Sequence, residues 1–468
     1  MISELLKRSG ECPMIFLGQG MFDSIDATEI ALIVANIHRF RHFSLSIKSD
    51  VIHDVPPFSA APQLEVFHLR LHNWGHAPHV FPLLLSKSDF PRIQDVELRR
   101  LPFNNYGPFL RSTLTKLSLT WCSLEDRDCN AFLSSLQEMR GLRELLLSSL
   151  EVPRFDIYQV PENFHLPTLR RLTIVANNDS SIMRILARIT VPHSTYMHFH
   201  FRYTPPRLQL RWSEFEQFIR EVKNFLISNV VGGVPTLRSV RLQSGGGVAL
   251  FGWNEELPNE SRLGMRDEEP DFNLLVRMSG PMDSQALSLR LLCESLPLSE
   301  ARIGFIVIQR KVLPLSSVWH SLLNAMTDIR HLQLSIPNPV YFCRALSKRS
   351  GAHPTLLLPK LERLALYHTQ FLPSQHPLRC TPFQQIVSWL RLRAGRGYKI
   401  STLEFREAVN FQEGDLDVLR DCADEVIWDN KEKILHDPSP HSIPTALSMD
   451  DLEPHLLMDQ ARTYEAGQ

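Results

Sequence analysis

At 468 residues the chain exceeds what one compact core usually holds, so it is either several domains or one elongated repeat array. Hydrophobic residues make up 43% and charged residues 22%, the composition of an ordinary folded protein. Lys and Arg number 50 against 51 for Asp and Glu, which excludes a bulk electrostatic drive toward nucleic acid or an anionic membrane.

The first residues, "MISELLKRSGECPMIFLGQG", lack the apolar core of a secretory signal. No stretch approaches the length of a membrane span; "IALIVA" and "GFIVI" are core-sized. The seven cysteines are scattered, odd in number and without a C-x-x-C. That usage predicts a reduced, intracellular protein, cytoplasmic or nuclear, with mostly buried thiols. The sequons at Asn178 and Asn259 then carry no meaning. Residues 1–39 read as an N-terminal cap.

From Phe40 onward one apolar spacing recurs, L-x-x-L-x-L, with other large apolar residues allowed for Leu. Its first position falls at Phe40, Leu64, Ile93, Leu114, Leu142, Leu169, Tyr196 and Leu237, then at Ile303, Ile329, Leu361 and Ile400. Most early steps lie in or near the roughly 20–29-residue period of leucine-rich repeats. "LTKLSLTWC" ends on Cys122 and "LRRLTIVAN" on Asn177, where that repeat takes Cys or Asn. Pro62, Pro91, Pro167, Pro235 and Pro359 each stand two residues before a frame and delimit a strand start. Between strands lie helical patterns at 128–139, 213–227, 317–326 and 382–392.

The expected fold is α/β: an irregular leucine-rich-repeat solenoid, or horseshoe, with a parallel concave sheet and convex helices. Repeats are expected over 40–242 and 288–434, the second block closing on a cap near Trp428. Between them 243–287, rich in Gly, Pro and acid, reads as an irregular insertion. Residues 435–468, polar and Pro-interrupted, read as a disordered tail.

In such a repeat the residues between the apolar positions face outward. They form the candidate partner-binding surface. The Leu64 and Ile93 frames give His68, Arg70, Glu97 and Arg99. The Leu114, Leu142 and Leu169 frames give Lys116, Glu144 and Arg171. The Tyr196 and Leu237 frames give His198, His200, Arg202 and Arg241. A varied lattice of this kind suits recognition of a protein and does not concentrate the perturbed groups that catalysis needs.

No catalytic, cofactor or metal site is expected. His198 and His200 share a strand face, but no nearby carboxylate or cysteine completes a metal site. "HRFRH" at 38–42 lacks a metalloprotease glutamate. "SGGG" at 244–247 is not a phosphate loop, because no Lys-Ser/Thr follows. "WLRLRAGRGYK" carries Arg391, Arg393, Arg396 and Lys399. RNA binding is imaginable there, but a helix end with cations in its last turn is the better account.

Several phrases resemble the leucine-rich-repeat region of the F-box proteins of mushroom-type (basidiomycete) fungi. They include "ISELLKRSGECPMIF", "LPTLRRLTI", "LPKLERLAL", "LCESLPLSEARIGFIVI", "WHSLLNAMTDIRHLQL" and "LRLRAGRGYKISTLEFREA" before "LRDCADEVIWDN". The resemblance spans roughly 1–430, carried by the order of the phrases more than by any one of them. It implies substrate recognition in a Skp–cullin–F-box ubiquitin ligase, with the repeats holding an unknown target protein. No L-P-x-E-[IL]-L-like F-box opening is visible, so a Skp-type adaptor is an expected partner only with an F-box upstream. The other reading is a stand-alone repeat scaffold, or a truncated F-box protein, with no role in ubiquitin transfer. Neither nucleic acid nor membrane is an expected partner.

Overall fold

The computed structural model describes residues 2–18, 27–48, 60–72, 90–152, 163–177, 182–203, 212–233, 236–244, 248–257, 270–278, 282–308, 316–347, 356–371 and 381–431. It consists of two compact units, Met1–Arg202 with Arg211–Val234, and Tyr203–Leu210 with Pro235–Gln468. The 435–468 tail, Asn178, Asn259 and the glycines at 245–247 lie outside the described residues.

Unit 1 carries strands β1 (Met14–Gly18), β2 (Phe40–Lys48), β3 (Val66–His72), β4 (Asp95–Arg99), β5 (Lys116–Thr120), β6 (Glu144–Ser148), β7 (Phe164–His165), β8 (Arg171–Asn177), β9 (Ile189–Pro192), β10 (Tyr196–Tyr203) and β11 (Val230–Val231). Its helices are α1 (Ile2–Arg8), α2 (Ala27–Ala35), α3 (Phe103–Tyr106), α4 (Asp126–Glu138), α5 (Ile182–Leu186) and α6 (Trp212–Ser228). The main sheet runs β1-β2-β3-β4-β5-β6-β8-β10, parallel throughout. Short β7, β9 and β11 form a separate parallel sheet.

Parallel strands need crossovers, and the amphipathic segments between them supply helices that cover one sheet face. Phe201 of β10 lies 4.9 Å from Phe218 of α6, and Phe199 lies 5.9 Å from Phe225. The register stacks equivalent side chains. Phe16, Phe43, Phe67, Phe109 and Phe90 form a continuous series, with successive ring centroids 5.8, 5.5, 4.4 and 4.7 Å apart. Each rung buries its apolar side against its neighbours, the energetic logic of a repeat.

Unit 2 carries β12 (Ser239–Ser244), β13 (Val248–Trp253), β14 (Phe272–Met278), β15 (Ile303–Ile308), β16 (His331–Ser335), β17 (Arg363–Tyr367), β18 (Ile400–Arg406) and β19 (Ala423–Trp428). Its helices are α7 (Met282–Ser295), α8 (Ser316–Ala325), α9 (Val340–Ser347), α10 (Pro382–Gly395) and α11 (Glu413–Arg420). Its sheet runs β14-β13-β12-β15-β16-β17-β18-β19, parallel from β12 to β19. Helices α7 to α10 pack against one another in chain order. Both units are therefore mixed α/β, with a mostly parallel sheet.

Ten of the twelve apolar frames fall where the alternation puts them, and two slip by two residues. Tyr196 pairs with Arg171, so β10 turns Met197, Phe199 and Phe201 inward, and Tyr196 faces outward. Ile303 pairs with His331, so the apolar slots of β15 go to Ala301, Gly304 and Ile306. Small residues in slots meant for Leu hid that frame. At Gly304 a Cβ would lie 3.1 Å from Ile329 Cδ1 and 3.2 Å from Leu332 Cδ1, so a larger residue there would make those side chains give by a few tenths of an ångström.

The 243–287 stretch, expected to be irregular, contributes β13, antiparallel to both β12 and β14, and β14 beyond it. The reversed direction of β13 explains why no repeat frame fits that strand. Residues 258–269 and 279–281 of that stretch lie outside the described residues. The expected cap 1–39 adds β1 to the sheet, with Ile15 67% and Leu17 59% exposed.

The cation-rich "WLRLRAGRGYK" is the end of α10. Its Arg393 is 1% exposed and donates to the carbonyls of Leu357, Leu358 and Leu361 at 3.2, 2.7 and 3.1 Å. It lies over the Trp389 ring, and burial pulls its pKa down to about 10. This guanidinium closes the turn before β17 and is spent on backbone, not on any surface ligand.

Candidate partner-binding faces

In each sheet one face packs on helices; the other, the open face, carries the polar rows, in which Ser44, Ser148, Thr173, His200 and Ser239 are nonetheless buried. The open face of unit 1 is built in rows. One row runs Asp95, Lys116, Glu144, Arg171, Tyr196 across five strands. The next runs Ser44, His68, Glu97, Ser118, Leu146, Thr173, His198. The third runs Ser46, Arg70, Arg99, Thr120, Ser148, Val175, His200. Ten sequence-predicted candidates thus stand together on this face, Arg202 following His200. Arg241 stands apart, in β12 of unit 2.

Charges at the β3–β5 end are matched across strands. Arg70 Nη2 lies 2.7 Å from Glu97 Oε1, and Asp95 lies 3.3 Å from His68 Nε2 and 3.6 Å from Lys116 Nζ. Burial would raise the Asp95 pKa, but the His68 hydrogen bond and the Lys116 charge outweigh it and hold it below the usual value. The middle of the face is uncharged over Ser118, Leu146, Ser148 and Thr173. The β8–β10 end is cationic. The Arg171 guanidinium sits 5.2 Å from the Tyr196 ring centre, a cation–π contact, and Arg202 Nε donates to His200 Nε2 at 3.4 Å.

Burial together with Arg171 and Arg202 pushes the His198 pKa down to about 4. The two guanidiniums flanking His198 and His200 repel a metal cation as they repel a proton. Among the described residues no group of three His, Cys, Asp or Glu could hold a metal. His200 is only 5% exposed, so it supports the face from beneath.

The open face of unit 2 repeats the row pattern with residues that the sequence reading did not nominate. One row is Ser239, Ile303, His331, Arg363, Thr402. The next is Arg241, Phe305, Gln333, Ala365, Glu404. Arg241 lies 5.7 Å over the Phe251 ring. Trp253, Leu257, Ile303 and Phe305 make an apolar cluster at one end. Glu404, 1% exposed, is held by Arg363 Nη2 at 2.7 Å and Arg406 Nε at 2.5 Å. The same outward alternation, applied to the Ile329, Leu361 and Ile400 frames, would have found His331, Gln333, Arg363, Glu404 and Arg406.

Of the cysteines among the described residues, Cys12 is exposed and Cys122, Cys129, Cys293, Cys343 and Cys422 are buried and unbridged. Burial drives the Cys122 pKa up to about 12, which makes it a poor nucleophile. No described helix is long and apolar enough to cross a membrane.

No family model matches the chain, and no curated protein matches it. Among solved structures a leucine-rich-repeat protein of Leptospira interrogans is similar at 13% identity and a TM-score of 0.25, over 92% of this chain and 98% of that one. A score that low carries no argument, and the fold rests on the strand register itself.

Proposed function

We propose that the chain is a non-enzymatic protein-binding repeat module whose open sheet faces hold a partner by surface complementarity. The supporting observation is the in-register face of unit 1, where a matched ionic end, an uncharged middle and a cationic end lie within one row pattern. Such a graded, half-buried surface gives orientation and selectivity to a protein contact.

The finer reading is the target-recognition part of an F-box-type ubiquitin-ligase receptor, supported by the sequence resemblance alone. The expected fold-level detail, a single horseshoe with this face concave, belongs to the same reading, as does an intracellular location. A Skp-type adaptor is expected to bind only where an F-box is joined to the chain. The second reading is a repeat scaffold outside ubiquitin transfer. An adaptor pull-down with the native protein separates the two.

The test of the binding reading is cross-linking of the tagged chain in native cells, followed by capture with a Lys116→Glu, Arg171→Glu variant. The expected result is at least a tenfold loss of the cross-linked partner with an unchanged unfolding midpoint. Undiminished capture would remove this face as the interface.

A further inference from the structure

We propose that a recess on the open face of unit 2 receives a carboxylate presented by the partner polypeptide. This deepens the protein-binding reading and rests on it. The recess is shallow, with a cavity volume of about 20 Å³ and about 300 Å³ when the open solvent at its mouth is counted, and its lining includes Phe305, His331, Gln333, Arg363, Tyr367 and Glu404. It exists because Ala365 stands between Gln333 and Glu404 in their row, a small side chain between two long ones.

The occupant's chemistry follows from what the lining lacks. Gln333 is 9% exposed, and its Nε2 has no acceptor among the described residues. The buried Nδ1 of His331 has no partner there either. Burial lowers the His331 pKa, which favours the neutral ring with a single N–H. Its Nε2 faces the Glu362 carboxylate at 3.9 Å, so His331 adds a donor to the recess only in the tautomer protonated at Nδ1, and Gln333 is the principal donor. Buried donors without acceptors are costly and ask for an oxygen acceptor.

Charge narrows the choice. Arg363 and Arg406 share Glu404, and the Tyr367 hydroxyl donates to Glu404 Oε1 at 3.4 Å. With Glu362 and its neighbour Arg330 included, three guanidiniums stand against two carboxylates and leave one positive charge in excess. A carbonyl would satisfy Gln333 without answering that charge. A phosphoryl group would bring close to two negative charges, with Glu362 Oε2 already 3.9 Å from His331 Nε2. A carboxylate matches both the donors and the charge. Ile303 and Phe305 on one side favour an apolar residue beside the acid.

The experiment uses the full chain on arrays of acetylated, amidated heptapeptides with a central Asp or Glu flanked by Leu. Matched arrays carry Asn or Gln at the centre, and a third set has a neutral centre and a free C-terminal carboxylate. The expected result is at least tenfold greater retention on a carboxylate set than on the amide set. The set that wins tells a side-chain carboxylate from a chain terminus. Gln333→Leu and Ala365→Met should each abolish the preference while the unfolding midpoint stays level or rises. Equal retention on all sets, or a preference that survives both variants, would overturn the proposal. If target capture in cells persists while the peptide preference is absent, the recess assignment fails and the protein-binding reading stands. If capture also fails for the unaltered chain, the broader reading falls with it.

Discussion

The open faces of the two units share one strand grammar and place their carboxylates at different depths, one partly solvated and one fully buried. In unit 1 Arg70 and Glu97 pair with side chains 19% and 24% exposed. In unit 2 Glu404 is 1% exposed, and two arginines converge on it. Both carboxylates sit at the same outward step of a repeat strand, two residues past the strand's first outward position. What differs is their neighbours: Glu97 faces Ser118 on β5, whereas Glu404 is covered by Tyr367 and both guanidiniums. Sequence position in the repeat thus fixes direction, and the flanking rows fix dielectric. A partly solvated pair contributes little net stability, while a buried one becomes a liability once a partner is removed.

That contrast can be broken most directly at the arginines. Arg363→Met leaves Glu404 buried with Arg406 and the Tyr367 hydroxyl as its partners, so its charge stays compensated, and a loss of up to about 3 kcal/mol is expected. Arg70→Met in unit 1 removes a pair that water can replace, and should cost under about 1 kcal/mol. Chemical denaturation of both variants decides it; equal costs would erase the distinction between the faces.

A smaller effect belongs to unit 1 and depends on pH. His198 has a folded pKa near 4 because it is buried beside Arg171 and Arg202. Between the unfolded value of about 6.5 and the folded one, the unfolded chain takes up a proton that the folded chain refuses. The contribution is therefore full above pH 6.5 and falls as pH drops toward 4, by on the order of 2–3 kcal/mol. A His198→Phe variant should lose that slope between pH 6.5 and 4 in thermal or urea titrations. An unaltered slope would mean that the two guanidiniums do not set the cationic end of this face.

Period-two alternation made most of this architecture legible. It places ten frames in register and names ten residues of the unit 1 face. It failed where side-chain size departs from the pattern: Ala301 and Gly304 stand in for Leu, and Tyr196 looks like a core aromatic but stacks under Arg171. The reversed strand β13 was missed because the repeat predicts only parallel rungs. The unit 2 recess was missed for a different reason. Its polarity comes from convergence across three strands, and neither the burial of Glu404 nor the gap over Ala365 can be read from one segment. Arg393 shows the same limit, since nothing local tells a cation facing water from one feeding three carbonyls 32 to 36 residues earlier in the chain.

The finest test of the comparison concerns the exits of the strands. Arg100 after β4 and Glu407 after β18 both leave in the left-handed region, at φ 62° and 50°, as do Trp121, Ser149 and His368. That conformation costs a side-chain-bearing residue roughly 1–2 kcal/mol. Glycine removes the strain but gives the unfolded chain roughly 0.5–1 kcal/mol of extra freedom. The relieved strain equals or exceeds the added freedom, so Arg100→Gly should lie between no change and a gain of about 1 kcal/mol. Arg100→Val keeps the strain that Arg100 already carries and adds the crowding of a β-branched side chain, so it should destabilise by about 1 kcal/mol or less. Glu407→Gly loses in addition the contact of Oε2 with His368 Nδ1 at 3.3 Å, while its backbone N–H keeps Asp429 Oδ2 at 2.9 Å. Because that ion pair is partly exposed, the unit 2 exchange should be less favourable than the unit 1 exchange by only a few tenths of a kcal/mol. A clear gain at Arg100 with a clear loss at Glu407 would show that the two units hold the same turn by different means; equal values would show that the backbone alone sets it.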